Sequence, residues 1–120
     1  MSESHTLIFR FPPKVKQRPR MTRRGRVFTP QGTIAFEEAV REAWTESGLP
    51  TTEGPCRVVI RLRPKGFTVT VTPLDGFKST ARGDVDNYAK AILDGLQREG
   101  GAFNDDKQVI ELTISKKGKL

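Results

Sequence analysis

The order of apolar patterns along the 120 residues predicts an α+β fold: a single domain over residues 1–120 in the order β-α-β-β-α-β, with two helices packed on one mixed or antiparallel sheet. Three observations lead there. Two stretches repeat their apolar residues at helical spacing, four shorter ones are strand-like, and no repeat or low-complexity tract interrupts them. No apolar run approaches the ~20 residues that span a bilayer, and the first residues, "MSESHTLIFRFPP", lack the basic start of a secretory signal. The expected location is the cytoplasm. Cys56 is the one cysteine, so an internal disulfide and a cysteine-based metal cluster are excluded.

Thr6 to Phe11, "TLIFRF", is β-branched and aromatic and stops at Pro12-Pro13, which predicts a first strand. A basic flexible loop follows, over residues of about 12–29. Arg10, Lys14, Lys16, Arg18, Arg20, Arg23, Arg24 and Arg26 stand in or beside it, with no acid between Glu3 and Glu37. The chain carries a net charge of +7, so this segment accounts for essentially all of the excess. Such segregation suits a polyanion, because each phosphate neutralised by Lys or Arg releases condensed counterions. A solvated loop selected for solubility is the plainer explanation of the same residues. Pro19, Gly25 and the long charged side chains leave little to bury, and Val27-Phe28 pairs at most briefly.

Thr29-Pro30 reads as an N-cap followed by proline at the first helical position, with Gly32-Thr33 an equal alternative start one turn later. Ile34, Phe36, Ala39, Val40, Ala43 and Trp44 then recur at helical spacing until Gly48 and Pro50. Phe36 and Trp44 read as core residues of that stripe rather than as a base-stacking surface. Val58, Ile60 and Leu62 alternate with Arg57, Val59 and Arg61, and after Pro64-Lys65-Gly66 the residues Phe67, Val69 and Val71 alternate with threonines. A hairpin is expected. Pro73 to Gly83 is a loop. Val85, Ala89, Ile92 and Leu96 mark a second helix that Gly100-Gly101 is expected to end, and Val109 to Ser115 is read as a last strand.

The acids gather at this second helix. In an extended backbone Asp84 and Asp86 project from one side while Val85 points to the core, and Asp105-Asp106 follows the helix. Two carboxylates held about 4 Å apart repel by roughly 4 kcal/mol at an effective dielectric near 20, a cost that a divalent cation removes. Oxygen donors without His or Cys favour Mg²⁺, or Mn²⁺, over Zn²⁺. From Asp86 to Glu99 a helix is roughly 20 Å long, whereas the five steps from Gly101 to Asp106 reach at most about 18 Å. The acids therefore meet within one subunit only if the chain returns almost straight, or else across a dimer. Lys90, one turn after Asp86, can hold a phosphate oxygen or offset charge on a leaving group. Taken one at a time, Asp86-Lys90 and Lys90-Asp94 are ordinary helix ion pairs, Asp84 or Asp86 an ordinary cap, and Asp105-Asp106 turn residues.

The wording of the motif adds what its spacing lacks. "GDVDNYAKAILDGLQREGGAFNDDKQV" resembles the signature of RusA-type Holliday junction resolvases, a D-x-DN-x-x-K-x-x-x-D-x-L helix followed by a D-D-x-Q-[VI] turn. "KQRPRMTRRGRVFTP" is similar to the family's basic loop, whereas the connection between Ile60 and Arg82 is longer than in the short bacterial prototype. The resemblance implies a homodimeric, metal-dependent endonuclease, often encoded by prophages, that nicks opposed strands of a four-way DNA junction. It places catalytic, metal-holding aspartates at Asp84, Asp86 and Asp106, a functional lysine at Lys90, and support at Asn87 and Asp105. DNA binding falls to Lys14, Lys16, Arg18, Arg20, Arg23, Arg24 and Arg26. Two other readings stand beside it: a non-catalytic module for branched DNA or RNA, and a Mg²⁺-dependent nuclease for flaps or other structured DNA. Retention of every acidic position favours an enzyme over the former, and a panel of substrates separates the latter.

Overall fold

The computed structural model describes residues 3–15, 20–28, 30–74, 76, 83–97 and 100–116. The chain divides into two compact units, Met1–Gly76 and Phe77–Leu120. In the first, strand β1 (His5–Phe9) is followed by two short strands, β2 (Arg20–Met21) and β3 (Val27–Phe28), then by helix α1 (Gln31–Ser47) and strands β4 (Cys56–Arg63) and β5 (Gly66–Pro73). The second unit holds helix α2 (Val85–Leu96) and a single 3₁₀ turn, Asp106–Gln108.

β1, β5 and β4 form, in that spatial order, a wholly antiparallel sheet. Its hairpin is the expected one, with Arg63 opposite Gly66 and Pro64-Lys65 between them. Register then decides what each face carries, since directly opposed residues share a face. Phe9 lies opposite Phe67, and their rings stack at 4.5 Å. Phe11 meets Phe9, Phe67 and Phe36 edge to face, and Phe36 brings α1 onto this side of the sheet. Phe9 and Phe67 are buried, so this aromatic group is the core of the unit. β1 stops at Phe9, earlier than the apolar pattern suggests, because β5 turns into the hairpin one residue beyond Phe67.

α1 starts at Gln31 with Pro30 in the N-cap place, its ψ of 141° being extended, so Pro30 is not the first helical residue as expected; the helix ends at Gly48, whose φ of 78° is the left-handed conformation expected of a terminal glycine. The Trp44 indole N–H donates to the Pro50 carbonyl, folding the chain back over the helix end. The basic segment is not wholly irregular: Arg20 pairs with Phe28 and Met21 with Val27, and Gly25, at φ 82°, closes the tip. Thr22 secures that tip by accepting from the Gly25 N–H at its carbonyl and from the Arg26 N–H at its hydroxyl.

In the second unit α2 ends at Leu96, about a turn before the position expected from Gly100-Gly101. There the Leu96 carbonyl accepts from the N–H groups of Ala102 and Phe103, and the chain reverses. The expected last strand is corrected. Val109 to Ser115 alternates like a strand, but the described residues 109–116 pair with no edge, and alternation without a ladder makes no sheet. The observed order is accordingly β-β-β-α-β-β-α, with the 3₁₀ turn last.

In the sheet, Gly66 is required by close approach. A Cβ on Gly66 would lie 2.6 Å from the Phe9 carbonyl oxygen, while one on Gly54 meets nothing within 4 Å. Gly66→Ala is expected to cost about 1–3 kcal/mol in denaturant unfolding, and Gly54→Ala much less. Equal midpoints for the two variants would contradict this packing.

Candidate active site

α2 brings most of the acidic motif to one place. Its apolar residues at intervals of three and four give it one apolar side, with Ala89 buried. Asp86, Lys90 and Asp94, spaced by four, form a row along the helix. A groove of about 300 Å³ runs beside this row. Its floor is Val85, Ala89, Leu93, Leu112 and Ile114, and its charged groups are Asp86, Lys90, Asp94 and Asp106. The sequence separates Asp86 from Asp106 by twenty residues, and the fold puts both on one groove.

Asp106 arrives there through a specific local structure. Asp105 caps the 3₁₀ turn: its carboxylate accepts from the Lys107 N–H at 2.9 Å. Gln108 completes the capping box, its Oε1 accepting from the N–H groups of Asn104 at 2.8 Å and Asp105 at 2.9 Å. The D-D-x-Q wording thus has a physical meaning, since the first Asp and the Gln hold the turn while Asp106 is presented. Gln97 joins the turn to the helix. Its Oε1 accepts from the Asp106 N–H at 2.9 Å, and its Nε2 donates to Asp94 at 3.3 Å.

Asp84 is the N-cap of α2 by position, yet its carboxylate makes no capping bond. Its backbone is extended, and its side chain is exposed. Gly83, just before it, donates its N–H to the Tyr88 hydroxyl at 3.2 Å. A Cβ on Gly83 would lie 2.9 Å from the Tyr88 ring, so the entry to the helix lies flat against that ring. Asn87 is exposed in the first turn, and its backbone N–H donates to the Asp84 carbonyl. Lys90 Nζ stands 4.0 Å from Asp94, at the limit of an ion pair, and both side chains are exposed. Such a contact contributes about 0.5 kcal/mol or less, leaving the lysine able to turn to another anion.

The structure therefore gathers Asp86, Lys90 and Asp106 but leaves Asp84 off the groove lining. Among the described residues no three Asp, Glu, His or Cys side chains lie close enough together to hold a metal ion. The donor chemistry is nevertheless that of a hard cation, since every charged acceptor at the groove is a carboxylate. Of the predicted DNA-binding residues, Lys14, Arg23, Arg24 and Arg26 are exposed. Lys16, Arg18 and the side chain of Arg20 lie outside the described residues. Sequence reasoning missed Tyr88, Gln97 and Gln108 as positioning residues and Asp94 as part of the groove. The D-x-x-Q spacing of a capping box and the four-residue spacing of Asp86, Lys90 and Asp94 were the signals available for the last two.

A carboxylate-lined groove with an exposed lysine, in a chain that also carries a basic hairpin, is compatible with the class of proteins that handle phosphate esters. Family comparison then settles the lineage. Residues 10–120 match the model of the endodeoxyribonuclease RusA family, and the chain belongs to that family. It is a family of endodeoxyribonucleases acting on Holliday junctions, so branched DNA is the class of substrate. No curated protein and no solved structure matches the chain. Among the described residues no helix is long and apolar enough to cross a membrane.

The turn that carries Asp106 is open to two tests. Gln108→Ala removes the acceptor of two backbone N–H groups and should cost about 1 kcal/mol of local order, speeding amide exchange at Asn104 and Asp105. Unchanged exchange would contradict the capping role. The Lys107 N–H holds the Asp105 carboxyl below its ordinary range, with the Asp106 side chain and the Lys107 charge acting in the same direction. Because the folded-state pKa is depressed, this contact persists at neutral pH and is lost only as pH falls through the lowered value. In an NMR titration the Lys107 amide should stay still while ordinary aspartates protonate and move at lower pH. Movement in step with an ordinary aspartate would count against the bond.

Proposed function

We propose that the protein is a metal-dependent, structure-selective endodeoxyribonuclease that resolves four-way DNA junctions by paired nicks in recombination and repair, acting as a homodimer. The observation that carries this reading is the meeting of Asp86, Lys90 and Asp106 on one groove in a chain of the RusA family. Two opposed strands must be cut symmetrically, and a two-fold dimer supplies two equivalent sites. Asp84, Asp86 and Asp106 would hold Mg²⁺, with Mn²⁺ a substitute suited to the same oxygen donors. A hard cation bound there supplies polarisation of the phosphate and a more acidic water.

The chain's own groups do the rest. Lys90 sits one turn beyond Asp86, where its charge offsets the negative charge that develops as water adds to phosphorus and the bond to the 3′ oxygen breaks. Asp84 enters from the helix start with a carboxylate not committed to capping, so a change of rotamer is the freedom available to bring it to the other two. Asn87 and Asp105 are supporting residues, the former exposed one residue after Asp86 and the latter holding the turn. The arginines at the β2–β3 tip, with Lys14, Lys16, Arg18 and Arg20, hold DNA through its phosphates, which position the substrate without reading its sequence.

The test is a labelled four-way junction incubated with protein and Mg²⁺ and resolved on a denaturing gel. Paired nicks on opposed strands are expected, and they should vanish in Asp84→Asn, Asp86→Asn or Asp106→Asn while metal-free junction binding persists. Lys90→Ala should slow nicking about 10²–10³-fold with binding little changed. Cleavage untouched by all three aspartate substitutions would remove the assigned site, and binding without any nick would favour a non-catalytic module.

A further inference from the structure

The sheet has a second face, turned away from the aromatic core, and its chemistry is different. Register places Thr6 opposite Thr70 and Ile8 opposite Thr68, with Arg57, Val59 and Arg61 opposite Thr72, Thr70 and Thr68. Arg63 continues the row, so three arginines of β4 project on this side while Val58, Ile60 and Leu62 project on the other. The arginines are exposed, and among the described residues none has an ion-pair partner. None of the three strands contains an acid. The hydroxyls beside the arginines are held in a ladder, Thr6 to Thr70 at 2.8 Å and Ser4 to Thr72 at 2.6 Å.

A strand advances about 3.4 Å per residue, so Arg57, Arg61 and Arg63 extend over roughly 20 Å in a straight row. That length is more than half of one turn of B-DNA, about 34 Å, and each strand of the duplex offers a phosphate every 3.4 Å along the axis. A row of exposed guanidiniums carried on one strand, uninterrupted by acid and flanked by hydroxyl groups, is matched to the charge and reach of a sugar-phosphate backbone. Ile8 and Val59 on the same face carry no group able to read a base edge.

We propose that this face of the sheet, built on Arg57, Arg61 and Arg63, is a second DNA-backbone surface, separate from the basic hairpin, that takes a duplex arm of the branched substrate. It rests on the reading of the chain as a junction nuclease for the identity of the DNA, but its own evidence lies in the sheet. Contacts of this kind are sequence-independent, and each phosphate neutralised adds about one to the slope of log affinity against log salt.

The experiment is a salt titration of binding to a labelled duplex of about 20 base pairs, in chelator, with the full-length protein. The triple variant Arg57→Gln, Arg61→Gln, Arg63→Gln should lower the slope by about three and bind more weakly at every salt concentration. The corresponding lysine variant should keep most of the slope. Circular dichroism reports whether the triple variant folds. Should it not fold, Arg57→Gln and Arg61→Gln made singly at exposed positions should each lower the slope by about one. A folded variant with the wild-type slope and affinity would overturn the proposal, as would a loss seen equally in the lysine variant. Junction cleavage by the wild type is scored separately. Duplex binding that responds to these substitutions in a protein that cuts nothing would leave the surface standing and remove the nuclease reading. Normal cleavage with an unchanged slope would remove the surface alone.

Discussion

The contact on which the site depends is the one that Gln97 makes in two directions. A helix carrying Asp86 at its start leads away from it at about 1.5 Å per residue, and only a sharp return can bring a later acid back to the same flank. The Leu96 carbonyl starts that return by accepting two N–H groups, and the Gln97 side-chain oxygen then takes the backbone N–H of Asp106. A glutamine serves here because one amide can accept from the turn and donate to Asp94 at once. The shortened helix matters equally. Ending α2 at Leu96 leaves about 15 Å from Asp86 to the reversal, less than the roughly 20 Å expected of a helix running to Glu99.

Both units carry acids and bases, and each sets some of them in a particular place. In Phe77–Leu120, Asp86, Asp94 and Asp106 line a groove, and in Met1–Gly76 exposed arginines stand on a hairpin tip and on one face of a sheet. Exposed cations suit a family that acts on DNA, because they hold the substrate through its phosphates. β4 illustrates the economy of period two: alternate residues supply Val58, Ile60 and Leu62 to one face and Arg57, Arg61 and Arg63 to the other.

How much of this was legible in the residues depended on length and on whether a pattern had a partner. α1, the β4–β5 hairpin and α2 each present enough periodic residues to announce themselves, and Gly48 and Pro64-Lys65-Gly66 mark ends where they were expected. The β2–β3 ribbon is two residues wide, too short for any period to show. Val109 to Ser115 shows the opposite failure, a good alternation that reads as a strand although the ladder needs an edge that alternation cannot supply. At the site, motif wording singled out Asp84, Asp86, Lys90 and Asp106, and the groove gathers the last three. Gln97 and Tyr88 were illegible because their roles depend on where the chain returns and on which ring a glycine meets, neither of which has a spacing.

The central claim is that Asp84, Asp86 and Asp106 share one divalent cation. Paramagnetic broadening by substoichiometric Mn²⁺, followed at assigned backbone amides, tests it without reference to cleavage. The account predicts that the amides of all three aspartates broaden together and ahead of the other acids, and that Mg²⁺ in excess restores them. Broadening at Asp84 and Asp86 that leaves Asp106 sharp, or none at any of the three, would contradict it.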